Sequence, residues 1–254
     1  MSDLFVDGSL ARGAARQFSR SLAAHARQVE QQLLRVLDGG VDACSAGRPN
    51  CKVVRNVVVQ LNEMFCDRFS WGWMHNCSGR RYQYALIAPY VFKDEDESTY
   101  SIIVGELNGR KPIRYPQVIP IFALSGHATQ RLFQRLRTLD QGQVIEELRP
   151  SVHLAPTLWR AAEIARVERW PIETKNGFFI AARAERQLLT SAVTWIPKEG
   201  VSTRWRRVLE HLNKIPRIYE VGGSGEKLAA EVLKAHTWLR TADGDAGCLQ
   251  TRLH

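Results

Sequence analysis

Apolar residues recur near every third or fourth position from Leu10 to Leu37, with Phe18, Leu22, Val29, Leu33, Leu34 and Leu37 marking the stripe of one long amphipathic helix. The remaining side carries Arg12, Arg16, Arg20, His25, Arg27 and Arg35, and Gly39-Gly40 is expected to end the helix. Asp42 to Lys52, with Gly47 and Pro49, reads as a loop, and Val53 to Phe69 mixes the helix and strand periods. Phe69 to Met74, which holds Trp71 and Trp73, reads as a buried turn. Arg81 to Phe92 and Tyr100 to Leu107 are rich in aromatic and β-branched residues and predict strands. The acidic run Lys93 to Glu97 between them predicts a solvated turn. Asn108-Gly109 marks another turn, and Pro112, Pro116 and Pro120 argue for an extended connection or an edge strand.

The second half changes rhythm. An apolar run from Val118 to Leu124 leads into Ser125-Gly126-His127-Ala128-Thr129-Gln130-Arg131-Leu132-Phe133-Gln134-Arg135, a helix with Ser125 at its N-cap. Val144 to Leu148 and Thr157 to Val167 predict short helices around Pro150 and Pro156. Asn176-Gly177, set between the apolar runs Trp170–Ile172 and Phe178–Ala182, is a hairpin signal. A third strand, Leu188 to Ile196, would complete an antiparallel meander with Leu188, Thr190, Ala192, Thr194 and Ile196 on one face. Ser202 to Leu212 and Glu226 to Leu239 predict two last helices, and the ending from Thr241 has little patterning. The pattern is α+β, with helices packed on an antiparallel sheet, an N-terminal helical and β extension, and C-terminal helices. Three regions follow: 1–112, 113–200 and 201–254.

Composition narrows the function classes. The 254 residues are 44% apolar, enough for a sizeable core, and 35 Lys and Arg against 26 Asp and Glu give a net charge of +9. That excess points to an anionic partner, with nucleic acid first and an anionic membrane surface second. No apolar stretch is long enough to span a bilayer and the N-terminus lacks the apolar core of a signal peptide, so a cytoplasmic protein is expected. Five cysteines at irregular spacing do not form a disulfide framework. Cys44, Cys51, Cys66, His75 and Cys77 cluster without a CxxC pair, so reduced structural cysteines are expected and no metal. With no GxxxxGK[ST], no GxGxxG after a strand, and no HExxH, GxSxG or EF-hand pattern, no cofactor is expected. Gly222 to Lys227 opens a helix and reads either as an anion site or as a flexible connection.

The most informative chemistry lies on the helix after Ser125. His127, Arg131 and Arg135 fall at i, i+4 and i+8 and project along one side, setting an imidazole beside two permanent cations. A histidine in the first turn is biased to its neutral form by the positive helix end. A neutral imidazole can take a proton from a hydroxyl, and arginines hold phosphate bidentately. The competing reading is a wet helix face over a core. Arg80-Arg81-Tyr82-Gln83-Tyr84 suits single-stranded nucleic acid through cations and stacking rings, and equally an edge strand protected by charge. Trp205-Arg206-Arg207 offers a similar pairing of ring and cations, or a packed tryptophan beside exposed arginines. His153, between Pro150 and Pro156, is a second histidine in an irregular stretch.

Taken with the Asn-Gly-Phe-Phe-Ile and Ala-Val-Thr-Trp-Ile strands, the His-Ala-x-x-Arg-x-x-x-Arg helix resembles compact bacterial ribonuclease toxins of the barnase, EndoU, colicin and RelE-like group. The resemblance covers about Pro120 to Pro197. It implies helices against a four- or five-stranded antiparallel sheet and metal-independent RNA cleavage. It implies His127 as general base or acid, Arg131 as phosphate clamp, Arg135 as a second cation, and Thr194 as a hydroxyl near the last strand's end. Lys175 and Arg183 would face the same cleft. The chain departs from a compact toxin in its size and in the long segment from Val144 to Arg169. Two other classes stay open: a noncatalytic nucleic-acid-binding or assembly protein of a mobile element or secretion system, and an interaction protein whose basic first helix docks an acidic partner or inhibitor.

Overall fold

The computed structural model describes residues 6–47, 50–64, 67–90, 98–183, 189–201, 206, 209–210, 212, 214 and 225–244. Among the described residues the α+β expectation holds, with five α-helices and seven strands: α1 (Gly8–Ser45), α2 (Asn50–Met64), β1 (Trp71–Asn76), β2 (Arg81–Tyr90), β3 (Ser98–Asn108), β4 (Gln117–Leu124), α3 (Gly126–Leu136), α4 (Gln141–Ala165), β5 (Arg169–Glu173), β6 (Gly177–Arg183), β7 (Thr190–Pro197) and α5 (Gly225–Gly244). The strands order as β1-β2-β3-β4-β7-β6-β5. β1 to β3 pair antiparallel, as do β5 to β7, whereas β4 pairs parallel with β7. The chain divides into two compact units, residues 17–120 and residues 1–16 with 121–254, which differs from a division into 1–112, 113–200 and 201–254.

In the 17–120 unit, Phe18, Leu22, Ala26, Val29, Leu33 and Leu37 of α1 are buried at the spacing of one helix face. Leu34, counted with that stripe from sequence, is instead 42% exposed, because it sits one position round from Leu33. His25, read as part of the basic face, is buried, since it follows Phe18 by seven positions and Leu22 by three and so falls on their side of the helix.

Gly39-Gly40 does not end α1, which runs on to Ser45. A Cβ at Gly40 would stand 2.6 Å from Ile113 Cδ1 and 2.9 Å from Val57 Cγ2, so the glycine serves close approach of α2 and the β3–β4 connection. The loop expected over Asp42 to Lys52 is shortened accordingly, and the ambiguous stretch from Val53 becomes the helix α2, whose Val53, Val54, Val57 and Leu61 are buried. These side chains join Val29, Leu33 and Leu37 over Tyr84, Leu86, Ile103 and Leu107 of the sheet. Trp71 and Trp73 belong to strand β1, not to a turn. The acidic run Lys93 to Glu97 lies outside the described residues, as do Cys66, Leu188, Trp205 and Gly222 to Ser224.

In the other unit, the two short helices expected around Pro150 and Pro156 are one helix of 25 residues with both prolines inside. Proline removes an N–H and crowds the carbonyl four residues back. Here burial of Val144, Ile145, Leu148, Val152, Leu154, Leu158 and Ala162 along one element outweighs that local cost. The Asn176-Gly177 hairpin joins β5 and β6 as expected, pairing Glu173 with Phe178 and Arg169 with Ala182. β7 carries a β-bulge: Ala181 pairs with Ala192, but Ile180 pairs with Thr194, leaving Val193 extra. The helix expected over Ser202 to Leu212 is described only at residues 206, 209, 210 and 212, and α5 spans more than the expected Glu226 to Leu239.

Candidate functional site

α3 starts where the sequence places it. The Ser125 hydroxyl accepts from the Ala128 N–H at 3.1 Å and donates to the Ala192 carbonyl at 3.0 Å, so one side chain both caps α3 and fixes it to β7. Thr129 Oγ1 donates to the Ser125 carbonyl at 3.0 Å, and Gln130 Nε2 donates to the Gly8 carbonyl at 3.1 Å. Ala128, Thr129, Leu132 and Phe133 are buried, which turns the i, i+4, i+8 set toward water. His127 is exposed, Arg131 half-buried and Arg135 exposed.

The two arginines are held differently. Arg131 Nη1 donates to Gln134 Oε1 at 3.2 Å, one helical turn on. Arg135 Nη1 donates to the Trp195 carbonyl on β7. Partial burial and then the neighbouring Arg131 charge hold Arg135 below the usual arginine range. It stays a cation at any physiological pH. Among the described residues neither guanidinium has a carboxylate partner. Two like charges kept side by side on a helix are mutually destabilising, and an anion between them relieves that.

His127 makes no side-chain hydrogen bond among the described residues. Thr194 is half-buried on β7. Because Val193 is extra, Thr194 shares a face with Ile180 and lies opposite Ala192 and Trp195. The single face of Thr190, Ala192, Thr194 and Ile196 drawn from strict alternation therefore breaks at the bulge.

Lys175 and Arg183 do not share one cleft. Arg183 pairs with Thr190 at one end of the β6–β7 ladder, and Lys175 precedes Gly177, which pairs with Pro197 at the other. At about 3.4 Å per residue the intervening strand separates them by roughly 20 Å. His153, expected in an irregular stretch, is buried within α4. Arg80 and Arg81 are exposed in the 17–120 unit, where Arg81 Nη2 meets Glu106 Oε2 at 2.7 Å. β2 lies between β1 and β3, so the edge-strand alternative for Arg80 to Tyr84 is overturned. Arg206 is exposed and helical, and Arg207 lies outside the described residues.

Two polar clusters escaped the sequence reading. Glu147, almost fully buried on α4, accepts from the Thr174 hydroxyl, from the Asn176 N–H at 2.7 Å and from Asn176 Nδ2 at 2.8 Å. Thr174 Oγ1 in turn accepts from the Gly177 N–H at 2.9 Å and from Trp195 Nε1 at 3.1 Å. One donor and two acceptor positions on that hydroxyl are thus all filled. Beside it Lys198 Nζ lies 2.7 Å from Glu173 Oε1 and donates to the Lys175 carbonyl at 3.1 Å. The cluster is a pin that holds the hairpin turn on α4. Its only sequence trace is a glutamate within an apolar helical pattern.

The second cluster is His25, whose Nε2 lies 2.8 Å from Ser70 Oγ and 3.2 Å from Asp67 Oδ2, with its ring against Phe69. Serine and aspartate both reach the same nitrogen. A nucleophile relay needs the acid on the other ring nitrogen, so this is a buried structural contact.

Among the described residues Cys44, Cys51 and Cys77 are free thiols and no group of three His, Cys, Asp or Glu side chains is placed to hold a metal ion. No described helix is long and apolar enough to cross a membrane. Comparison with protein-family models, with curated proteins and with solved structures finds no match to the chain.

Proposed function

We propose that this protein binds nucleic acid, with RNA favoured, and that Arg131 and Arg135 on the outer side of α3 clamp a backbone phosphate. The observation that carries this reading is the pair of neighbouring guanidiniums without a carboxylate to neutralise them among the described residues. Arg135 is further restrained by its hydrogen bond to the Trp195 carbonyl, which lowers the entropy lost when phosphate docks. The net charge of +9 supports an anionic partner of this kind.

A second reading, metal-independent RNA cleavage, is favoured by one specific feature: His127 is exposed in the first turn of α3, one turn from Arg131 and two from Arg135. An imidazole there would take the proton of a 2′-hydroxyl as that oxygen attacks phosphorus, the P–O5′ bond breaks to leave a 2′,3′-cyclic phosphate, and the departing 5′-oxygen takes a proton from water, while the arginines stabilise charge on the phosphoryl oxygens. Thr194, on the face of Ile180, is not needed for that step.

Both readings are tested by one set of variants. Purified protein is incubated with mixed RNA in chelator, and both retention and product ends are recorded. Arg131→Ala/Arg135→Ala is expected to lose affinity, and an unchanged affinity would end the clamp reading. Cleavage leaving 2′,3′-cyclic phosphate that falls by about a hundredfold in His127→Ala would establish the second reading. Binding without His127-dependent cleavage would leave the first alone.

A further inference from the structure

The β1–β2–β3 sheet has one face turned to α1 and α2, where Tyr84, Leu86, Ile103 and Leu107 are buried in the core. The opposite face carries a different set of groups. Trp73 pairs with Ala85, His75 with Gln83, Gln83 with Glu106, and Arg81 with Asn108, and directly paired residues share a face. Near the β1–β2 turn this face opens: His75, Arg81 and Gln83 are exposed, and Trp73, Glu106 and Asn108 are half-buried. The Gly109 N–H donates to the Arg80 carbonyl at 2.8 Å, which carries the exposed Arg110 and Lys111 to the end of this face, whereas Arg80 alternates to the side of Cys51 at the start of α2.

We infer that this face is a platform for single-stranded RNA. Trp73 offers a ring on which a base can stack, and the Gln83 and Asn108 amides offer both donors and acceptors to base edges. Arg110 and Lys111, with Arg81 on the face itself, supply cations for the phosphates. Arg81 is held to Glu106 by a pair whose side chains are 47% and 36% exposed, so it is readily re-partnered by a phosphate. Glu106 is also the acid that keeps the patch from being purely basic. A duplex hides its base edges and faces from such a surface, and an acidic polypeptide would use the cations while leaving the ring and amides idle. Tyr84, whose sequence neighbourhood suggested stacking, is buried on the other face and takes no part.

The inference rests on the reading of the chain as a nucleic-acid-binding protein and adds to it a surface and a strand state. The full chain would be titrated into a fluorescein-labelled mixed-sequence RNA 12-mer, its duplex form, and polyglutamate as competitor, reading anisotropy in chelator. Gln83→Glu alters an exposed residue and sets a negative charge in the middle of the platform. Trp73→Leu removes the ring and Trp73→Phe keeps one, with far-ultraviolet circular dichroism to verify that each variant is folded. Preference for the single strand, with affinity reduced about tenfold or more by Gln83→Glu and by Trp73→Leu but restored by Trp73→Phe, is expected. Parent-like affinity in both Gln83→Glu and Trp73→Leu overturns the platform, even where loss in Arg131→Ala/Arg135→Ala upholds the α3 clamp. Losses confined to the platform variants uphold it and remove the clamp. Equal binding of the duplex, or displacement by polyglutamate as effective as by unlabelled RNA, overturns the strand state or the choice of partner.

Discussion

Glu147 is an ionisable group taken out of water, and its three hydrogen bonds come from a turn 27 to 29 residues further along the chain. Removing the acceptor leaves the Thr174 hydroxyl and the Asn176 amide groups to find other partners in a buried setting. Glu147→Ala is expected to cost about 3–5 kcal/mol, the range for breaking a buried charged network, measured by urea unfolding. Glu147→Gln keeps the shape and should cost less. A loss in Glu147→Ala within error of zero would mean that the pin contributes nothing.

His25 gives a second residue-scale expectation. Burial, outweighing the opposing Asp67 charge, lowers its pKa from the ordinary 6.5. The folded chain therefore binds this proton more weakly than the unfolded chain does. The stability it contributes is complete above the ordinary value and is lost as pH falls through the lowered one. The urea midpoint should fall as pH drops below the ordinary value of 6.5, and His25→Gln should flatten that fall. An equally steep decline in the variant would assign the effect to another group.

At the scale of elements, α4 is where local rules and tertiary packing disagree most. Pro156 is half-buried between the buried Ala155 and Thr157, and Pro150 is half-buried between the exposed Arg149 and the buried Ser151. Replacing Pro156 with alanine returns a backbone N–H and removes a clash, against a gain in unfolded-chain entropy. Pro156→Ala is expected to raise stability by about 2 kcal/mol, the helix cost of proline less that entropy term, read from thermal and urea midpoints. A destabilised variant would show that the ring itself fills space the core needs. In α1 the converse holds: Gly40 has poor helix propensity and is kept for contact, so Gly40→Leu should loosen the packing of α1 on α2, measured as faster amide exchange in both helices. The bulge at Val193 is a third such case, since one extra residue turns Thr194 away from the face that alternation assigned to it.

At the scale of the whole molecule the dominant property is charge, with 35 basic residues against 26 acidic ones. Affinity for single-stranded RNA should fall linearly on a log–log plot against salt, at about 0.7 in slope per phosphate contacted. Removing Arg131 and Arg135 together should lower that slope by one to two contacts' worth. A slope that is flat in the parent would remove phosphate contact as the basis of binding.

What the sequence determined by itself was everything governed by neighbours within a few positions. The α+β class, the stripe of α1, the Ser125 cap, the His127-Arg131-Arg135 side of α3 and the Asn176-Gly177 hairpin all follow from local spacing, because periodicity and capping act over one or two turns. Only the tertiary structure decided which way long-range contacts overrode those rules. It continued α1 through Gly39-Gly40, fused two short helices across Pro150 and Pro156, buried His25 and Glu147, and set Lys175 and Arg183 at opposite ends of a strand. The physical reason is common to all of them: burial of apolar area and satisfaction of buried polar groups are summed over partners distant in sequence, and such partners become visible only when the chain has folded.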